Sequence, residues 1–194
     1  MTRPGDDQSR RARRASSGEH RVVLSLGSNM GDRLGRLQLG VDSLVAGGLA
    51  HPVVSSVYET APVGGPAQDD YLNAVVLAVT VLPASDILRL AFAAEAAAGR
   101  VRTVRFGPRT LDVDVISYGD ETRSDAELTL PHPRAHERAF VLAPWLELDA
   151  TAVLPGRGRV AELLAAIGTK GVRRRSDLIL TIASDAATAV APCI

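Results

Sequence analysis

Residues 53–82 read VVSSVYETAPVGGPAQDDYLNAVVLAVTVL. The first eight, 53–60, are rich in β-branched side chains, and residues 71–82 form a longer apolar run of the same kind, so both are predicted strands. Between them, residues 60–70 have the proline and glycine density of an ordered loop. Two neighbouring strands joined by a loop alone pair antiparallel, because a parallel pair needs a crossover, normally a helix, between its members. A purely parallel, doubly wound sheet is thereby disfavoured. The predicted class is α+β, a mostly antiparallel sheet with helices packed on it.

On the N-terminal side, residues 21–28 (RVVLSLGS) read as a buried strand ending in a Gly-Ser-Asn turn. Residues 32–46 carry Leu34, Leu37, Val41, Leu44 and Val45 at helical spacing and stop at Gly47-Gly48, the pattern of an amphipathic helix. On the C-terminal side, Pro83 suits a first helical turn, and the alanine-rich stretch after it predicts a helix to about Gly99. A loop over 101–109 and strands at 110–118 and 128–130 come next. Helices are predicted at 137–148, with a kink at Pro144, and at 160–167, and a last strand at 176–182. Residues 1–20, polar and of mixed charge, read as a disordered basic tail, residues 21–182 as a single domain, and residues 183–194 as a frayed tail.

The chain has 194 residues, 46% of them hydrophobic, enough for one substantial core. Twenty-two basic residues balance 22 acidic ones, so no overall field favours nucleic acid or an anionic membrane, and any electrostatic site is local. Arginine supplies nearly all the positive charge, Lys170 being the one lysine. Cys193 is the only cysteine, which excludes an internal disulfide and a cysteine metal cluster. No apolar run has the length of a signal peptide core or a membrane span, and a cytoplasmic location is expected.

The chemistry gathers in three clusters. In RFGPRTLDVDV, residues 105–115, Asp112 and Asp114 alternate along a strand and share one face, roughly 7 Å apart at Cα. Adjacent carboxylates repel unless a cation lies between them, and divalent ions bridging phosphate oxygens are a common solution. Arg100, Arg102, Arg105 and Arg109 precede the pair within ten residues. Alone, they would read as a solvated basic loop; beside the acid pair they read as phosphate ligands, since neither a P-loop nor a G-x-G-x-x-G sequence is present. In LPHPRAHERAF, residues 130–140, His132 is held between two prolines, and Arg138 and Phe140 stand two apart. In the third cluster, residues 58–74, Tyr71 and Asn73 face the same way along a strand and offer a stacking surface beside an amide, which suits a flat heterocycle.

Together with LGSNMGDR, YETAPVG and DYLNAVV, and in this order, these motifs resemble the 6-hydroxymethyl-7,8-dihydropterin pyrophosphokinase family of folate biosynthesis over about residues 22–182. The resemblance implies a ferredoxin-like α+β fold and an ATP-dependent pterin diphosphokinase that transfers diphosphate to 6-hydroxymethyl-7,8-dihydropterin and releases AMP. It further implies two magnesium ions on Asp112 and Asp114, with ATP as co-substrate. Arg100 and Arg109 would neutralise phosphate as catalytic residues; Arg102, Thr129, His132 and Arg138 would also bind ATP. Tyr71 and Phe140 would sandwich the pterin, Asn73 would read its edge, Phe106 would cap it, and backbone groups of Thr60 and Val63 would meet its amide side. Glu95 matches an acidic residue on the helix before the arginine loop. Asp114 is at once a metal ligand and a candidate acceptor of the hydroxymethyl proton. A monomer is expected.

Three features depart from the family pattern. Phe106 stands where tryptophan is common, the arginine loop is about one residue short and lacks a lysine, and Glu127 takes a place where a basic residue occurs. Rival readings leave more unexplained. A two-metal phosphodiesterase or cyclase has no use for Tyr71, Asn73 and Phe140, and an RNA-binding module predicts a basic surface that this neutral chain lacks.

Overall fold

Local chemistry sets the first helix. The Asp32 carboxylate accepts the Gly35 N–H at 3.0 Å and caps α1 (Arg33–Ala46), whose Leu37, Val41 and Leu44 are fully buried. This capped helix follows β1 (His20–Ser28) in a computed structural model that describes residues 18–62, 68–100 and 109–182. Next come β2 (Ala50–Val54), β3 (Val57–Thr60), β4 (Tyr71–Thr80), α2 (Ala84–Ala97) and β5 (Asp112–Tyr118). A small β6 (Arg123–Ser124) and β7 (Thr129–Leu130) pair leads to a 3-10 turn (Ala135–Glu137) and α3 (Ala139–Leu148). Then β8 (Val153–Leu154), β9 (Gly158–Arg159), α4 (Val160–Ile167) and β10 (Val172–Arg175) complete the described chain.

The main sheet runs β10-β3-β4-β1-β5, with β2 also on β4, and every pairing is antiparallel. Its β1-α1-β3-β4-α2-β5 core has the ferredoxin-like order. Val22, Leu24, Leu26, Ala74, Val76 and Val113 point to one face and pack with α1 and α2. Val23, Val75, Leu77 and Ile116 point to the other and meet Val141, Leu142 and Trp145 of α3 and Val160 of α4. Burial on both faces explains why β1 and β4 read as continuous apolar runs rather than alternating ones.

Several boundaries differ from the sequence expectation. The strand predicted at 53–60 is two strands, because the Ser55 hydroxyl oxygen accepts the Val75 N–H at 3.0 Å and substitutes for a backbone carbonyl in the ladder. The strand predicted at 176–182 lies earlier, at Val172–Arg175: Arg173 sits opposite Glu59 in register, and Arg173 and Arg175 both pair with its carboxylate. Residues 176–182 instead carry Leu178, Leu180 and Ile182 into the α1 side of the core, with Gln38 accepting the Thr181 N–H at 2.9 Å. The helix predicted from Glu137 starts at Ala139, after the 3-10 turn, and passes through Pro144. His20, assigned to the tail, begins β1. The predicted tails at residues 1–17 and 183–194 lie outside the described residues.

Candidate active site

Helices α3 and α4 cover only part of their sheet face. Beyond Val23, Val75 and Ile116 that face continues as Ser25 and Gly27 on β1, Asn73 and Tyr71 on β4, and Asp114 and Asp112 on β5. Register sets Gly27 between Asn73 and Asp112, and Ser25 between Val75 and Asp114. An amide, a glycine and a carboxylate therefore form one row across three strands, with no Cβ at its centre.

At the β5 end, the carboxylates are paired with guanidinium groups. Asp112 accepts from Arg100 at 2.6 Å and from Arg109, and Asp114 accepts from Arg138 at 2.9 Å. Arg100 is held from behind by Glu95, a buried α2 carboxylate that also accepts the Val113 N–H at 3.0 Å. Burial disfavours the charge on Arg109, but Asp112 outweighs it and holds the guanidinium above its usual range. Three carboxylates thus face three arginines, and the two aspartates retain enough exposure, 21% and 32% of their side chains, for an incoming ligand to reach them.

His132 follows the cis Leu130–Pro131 peptide bond, and its N–H donates to Ile116 O at 2.9 Å, which fastens the turn to β5. Its Nδ1 accepts the Arg134 N–H, so the neutral ring carries its proton on Nε2, 3.8 Å from Asp114. Burial pushes the imidazole below its usual pKa, aided by Arg138 and opposed by Asp114. Thr129, half-buried on β7, pairs with Ser124.

At the β4 end, Asn73 Nδ2 donates to Thr60 Oγ1 at 2.9 Å and to Tyr58 O at 3.4 Å, leaving Oδ1 turned toward Gly27. The side chain of Thr60, not only its backbone, thereby orients the amide. Tyr71 is half-buried, and burial raises its hydroxyl pKa. Phe140, on the first turn of α3, lies under the Arg138 guanidinium, 5.6 Å from ring centre to Cζ.

Among the sequence candidates, Arg100 and Arg109 gather on Asp112, and His132 and Arg138 on Asp114 two residues along β5, while Tyr71 and Asn73 adjoin Gly27 on the same face, with Thr60 beside them on β3. Val63, Arg102, Arg105 and Phe106 lie outside the described residues. Sequence reading assigned no role to Asn29 or Arg33. Asn29 bonds to the backbone of Arg109 and to Gln68 and Asp69, contacts between residues some 40 and 80 positions apart. Their one visible signal was the polar turn LGSNMGDR between two apolar elements.

Two carboxylates suit a magnesium ion. Among the described residues no group of three or more His, Cys, Asp or Glu side chains could hold a metal unaided. Magnesium is bound at one or two carboxylates together with substrate phosphates and water, so this oxygen pair fits an ion that arrives with a polyphosphate. Among the described residues no helix is long and apolar enough to cross a membrane.

Comparison with known proteins agrees with this chemistry. Residues 23–150 match the family model 7,8-dihydro-6-hydroxymethylpterin-pyrophosphokinase. The 2-amino-4-hydroxy-6-hydroxymethyldihydropteridine pyrophosphokinase of Mycobacterium tuberculosis is 48% identical over 149 residues, 71% of this chain and 77% of that protein. The protein of that name from Methylorubrum extorquens is 41% identical over 155 residues, 79% of this chain and 98% of its own length. The Plasmodium falciparum HPPK-DHPS structure with pterin and p-hydroxybenzoate superposes with a TM-score of 0.58 at 13% identity, over 80% of this chain and 45% of that one. This chain thus spans under half of that solved protein, and the likeness bears on the fold alone. With the family model covering well over half its length and relatives 48% and 41% identical, the chain belongs to the 7,8-dihydro-6-hydroxymethylpterin-pyrophosphokinase family.

Proposed function

We propose that the chain transfers the terminal diphosphate of ATP to the 6-hydroxymethyl oxygen of 7,8-dihydro-6-hydroxymethylpterin, acting as a monomer in the cytoplasm. The hydroxymethyl oxygen bonds to the β-phosphorus, the bond from that phosphorus to the α–β bridging oxygen breaks, AMP leaves, and the hydroxyl proton is released. The observation that carries this reading is the meeting, on one sheet face, of the Asp112–Asp114 pair with three arginines and the Tyr71–Asn73 surface.

Asp112 and Asp114 would hold two magnesium ions, which supply Lewis-acid neutralisation of the phosphate charge when bound. Arg100 and Arg109, already converging on Asp112, would hold phosphate oxygens as negative charge grows on the transferring group and the leaving AMP. Arg138 and His132 would approach the phosphates from the Asp114 side, the neutral ring donating from Nε2. Arg102 and Thr129 would add contacts to ATP. Tyr71 and Phe140 would stack on the pterin, with Phe106 above it, Asn73 Oδ1 would accept from its edge, and Thr60 and Val63 would bind its amide side. No covalent enzyme intermediate is required, because catalysis rests on positioning and on preorganised charge.

The test is AMP release from ATP and magnesium with and without the pterin. The reading expects AMP to depend on the pterin; equal release without it would remove the pterin from the reaction.

A further inference from the structure

LGSNMGDR, Leu26–Arg33, supplies no member of the carboxylate and arginine group, yet its Asn29 is 2% exposed and has every hydrogen-bonding group of its side chain occupied. The Asn29 N–H donates to Arg109 O at 3.1 Å, while Asn29 Oδ1 accepts the Arg109 N–H at 2.8 Å. The amide nitrogen donates to Gln68 Oε1 at 2.8 Å and to Asp69 O at 3.2 Å. A backbone donor on one side and a backbone acceptor on the other fix which way the amide faces. Four residues on, Arg33 donates to Asp70 O at 2.6 Å.

These bonds join the segment that leads into Tyr71 to the segment that leads into Asp112. Residues 68–70 lead directly into Tyr71, and Arg109 lies three residues before Asp112. Arg33 grips only the first of these segments, whereas Asn29 grips both. We propose that Asn29 is a positioning residue that locks the entrance of the pterin-side strand to the backbone of the phosphate-side arginine, so that one buried amide sets the spacing between the two substrates. This inference rests on the proposed diphosphate transfer. In-line attack tolerates little error in that spacing, and a displacement near 1 Å can cost about a hundredfold in rate.

A residue that merely stabilised the fold would lower the melting temperature and leave the kinetic constants of the folded enzyme alone. The discriminating experiment measures kcat, the KM for the pterin and the thermal midpoint of the full chain for wild type, Asn29→Ala, Asn29→Asp and Arg33→Ala. Asn29→Ala should lower kcat and raise the pterin KM, each by about tenfold, the effect of losing one hydrogen bond at the Arg109 end and two at the Gln68–Asp69 end. Asn29→Asp keeps the acceptor for the Arg109 N–H and loses the donors to Gln68 Oε1 and Asp69 O, so it should recover most of kcat while the pterin KM stays raised. Arg33→Ala loses the bonds to Asp70 O and to Glu59 but none to the Arg109 segment, and should raise the pterin KM with less effect on kcat than Asn29→Ala. Kinetic constants within about twofold of wild type in Asn29→Ala, with only the midpoint lowered, would overturn the proposal. Should that variant not fold, an Asn29→Asp enzyme with kcat and KM impaired alike would overturn it instead. A wild-type enzyme that forms no AMP in the same assay refutes the underlying transfer reaction, an outcome separate from either of these.

Discussion

Gly27→Ala is the sharpest probe of the Asn73–Gly27–Asp112 row. The Gly27 backbone lies outside the left-handed region, so alanine is tolerated there and in isolation would gain about 0.5–1 kcal/mol relative to glycine within a strand. The added Cβ would stand 3.2 Å from Asn73 Oδ1 and 3.7 Å from Tyr71 Cδ1. Asn73 has little freedom to retreat, because its nitrogen is tied to Thr60 Oγ1 at 2.9 Å and to Tyr58 O. Relief therefore lengthens one of those bonds at about 1 kcal/mol, which nearly cancels the backbone gain. Stability should change by less than about 1 kcal/mol, a shift in melting temperature of under about 4 °C for a domain of this size. Binding should not be neutral, since the methyl fills the floor between the amide and Tyr71 and turns Oδ1 from its bearing. A loss of about 1–1.5 kcal/mol corresponds to a five- to tenfold rise in the pterin KM. Nucleotide affinity, measured by calorimetry with a non-hydrolysable ATP analogue and magnesium, should stay within twofold. A wild-type pterin KM in a folded Gly27→Ala enzyme, or a selective loss of nucleotide binding, would refute the assignment of this row to the pterin.

Three further predictions follow from other parts of the molecule. Asp114→Ala should cut turnover by about a hundredfold or more while circular dichroism and the melting midpoint remain close to wild type; near-normal rates would remove Asp114 from the metal and phosphate site. Phe140→Ala should raise the pterin KM several-fold and leave nucleotide affinity almost unchanged, a split that calorimetry with each ligand separately resolves. Glu59 concerns stability: burial opposes its charge, but hydrogen bonds and attraction from Arg175 and Arg173 hold its pKa below the usual carboxylate value. A carboxylate depressed on folding adds stability that is complete above its unfolded pKa near 4.5 and is lost as pH falls through the folded value. Glu59→Gln should therefore lower stability at pH 7 by about 2 kcal/mol, given the exposure of Arg173, with a matching fall in the melting midpoint, and flatten the acid side of the stability profile. An unchanged acid limb would show that the Glu59 cluster contributes nothing to it.

The legible parts of this chain were those carried by short-range pattern. Antiparallel pairing of β3 with β4 follows from the proline- and glycine-rich connection, and the shared face of Asp112 and Asp114 follows from strand alternation. The arginines near the acid pair could be named because they are close in sequence. Long-range hydrogen bonding was not legible. Nothing local marks Asn29 as the partner of Arg109, 80 residues away, or Glu147 as the acceptor of the Ser56 and Tyr58 hydroxyls. That last contact pushes the Tyr58 hydroxyl up to about 12, with burial the larger cause. The edge strand β10 was missed for a related reason: Val-Arg-Arg-Arg reads as a solvated charge run until Glu59, on the neighbouring strand, supplies the carboxylate that two of those arginines share. The apolar residues 178–182 attracted the strand prediction because burial, not ladder pairing, accounts for their character.

The most direct test of diphosphate transfer is the identity of the products. After incubation of the enzyme with ATP, magnesium and 7,8-dihydro-6-hydroxymethylpterin, mass spectrometry should find the pterin heavier by two phosphoryl groups and the nucleotide converted to AMP in equal amount. A pterin carrying one phosphoryl group, with ADP as the nucleotide product, would contradict attack at the β-phosphorus.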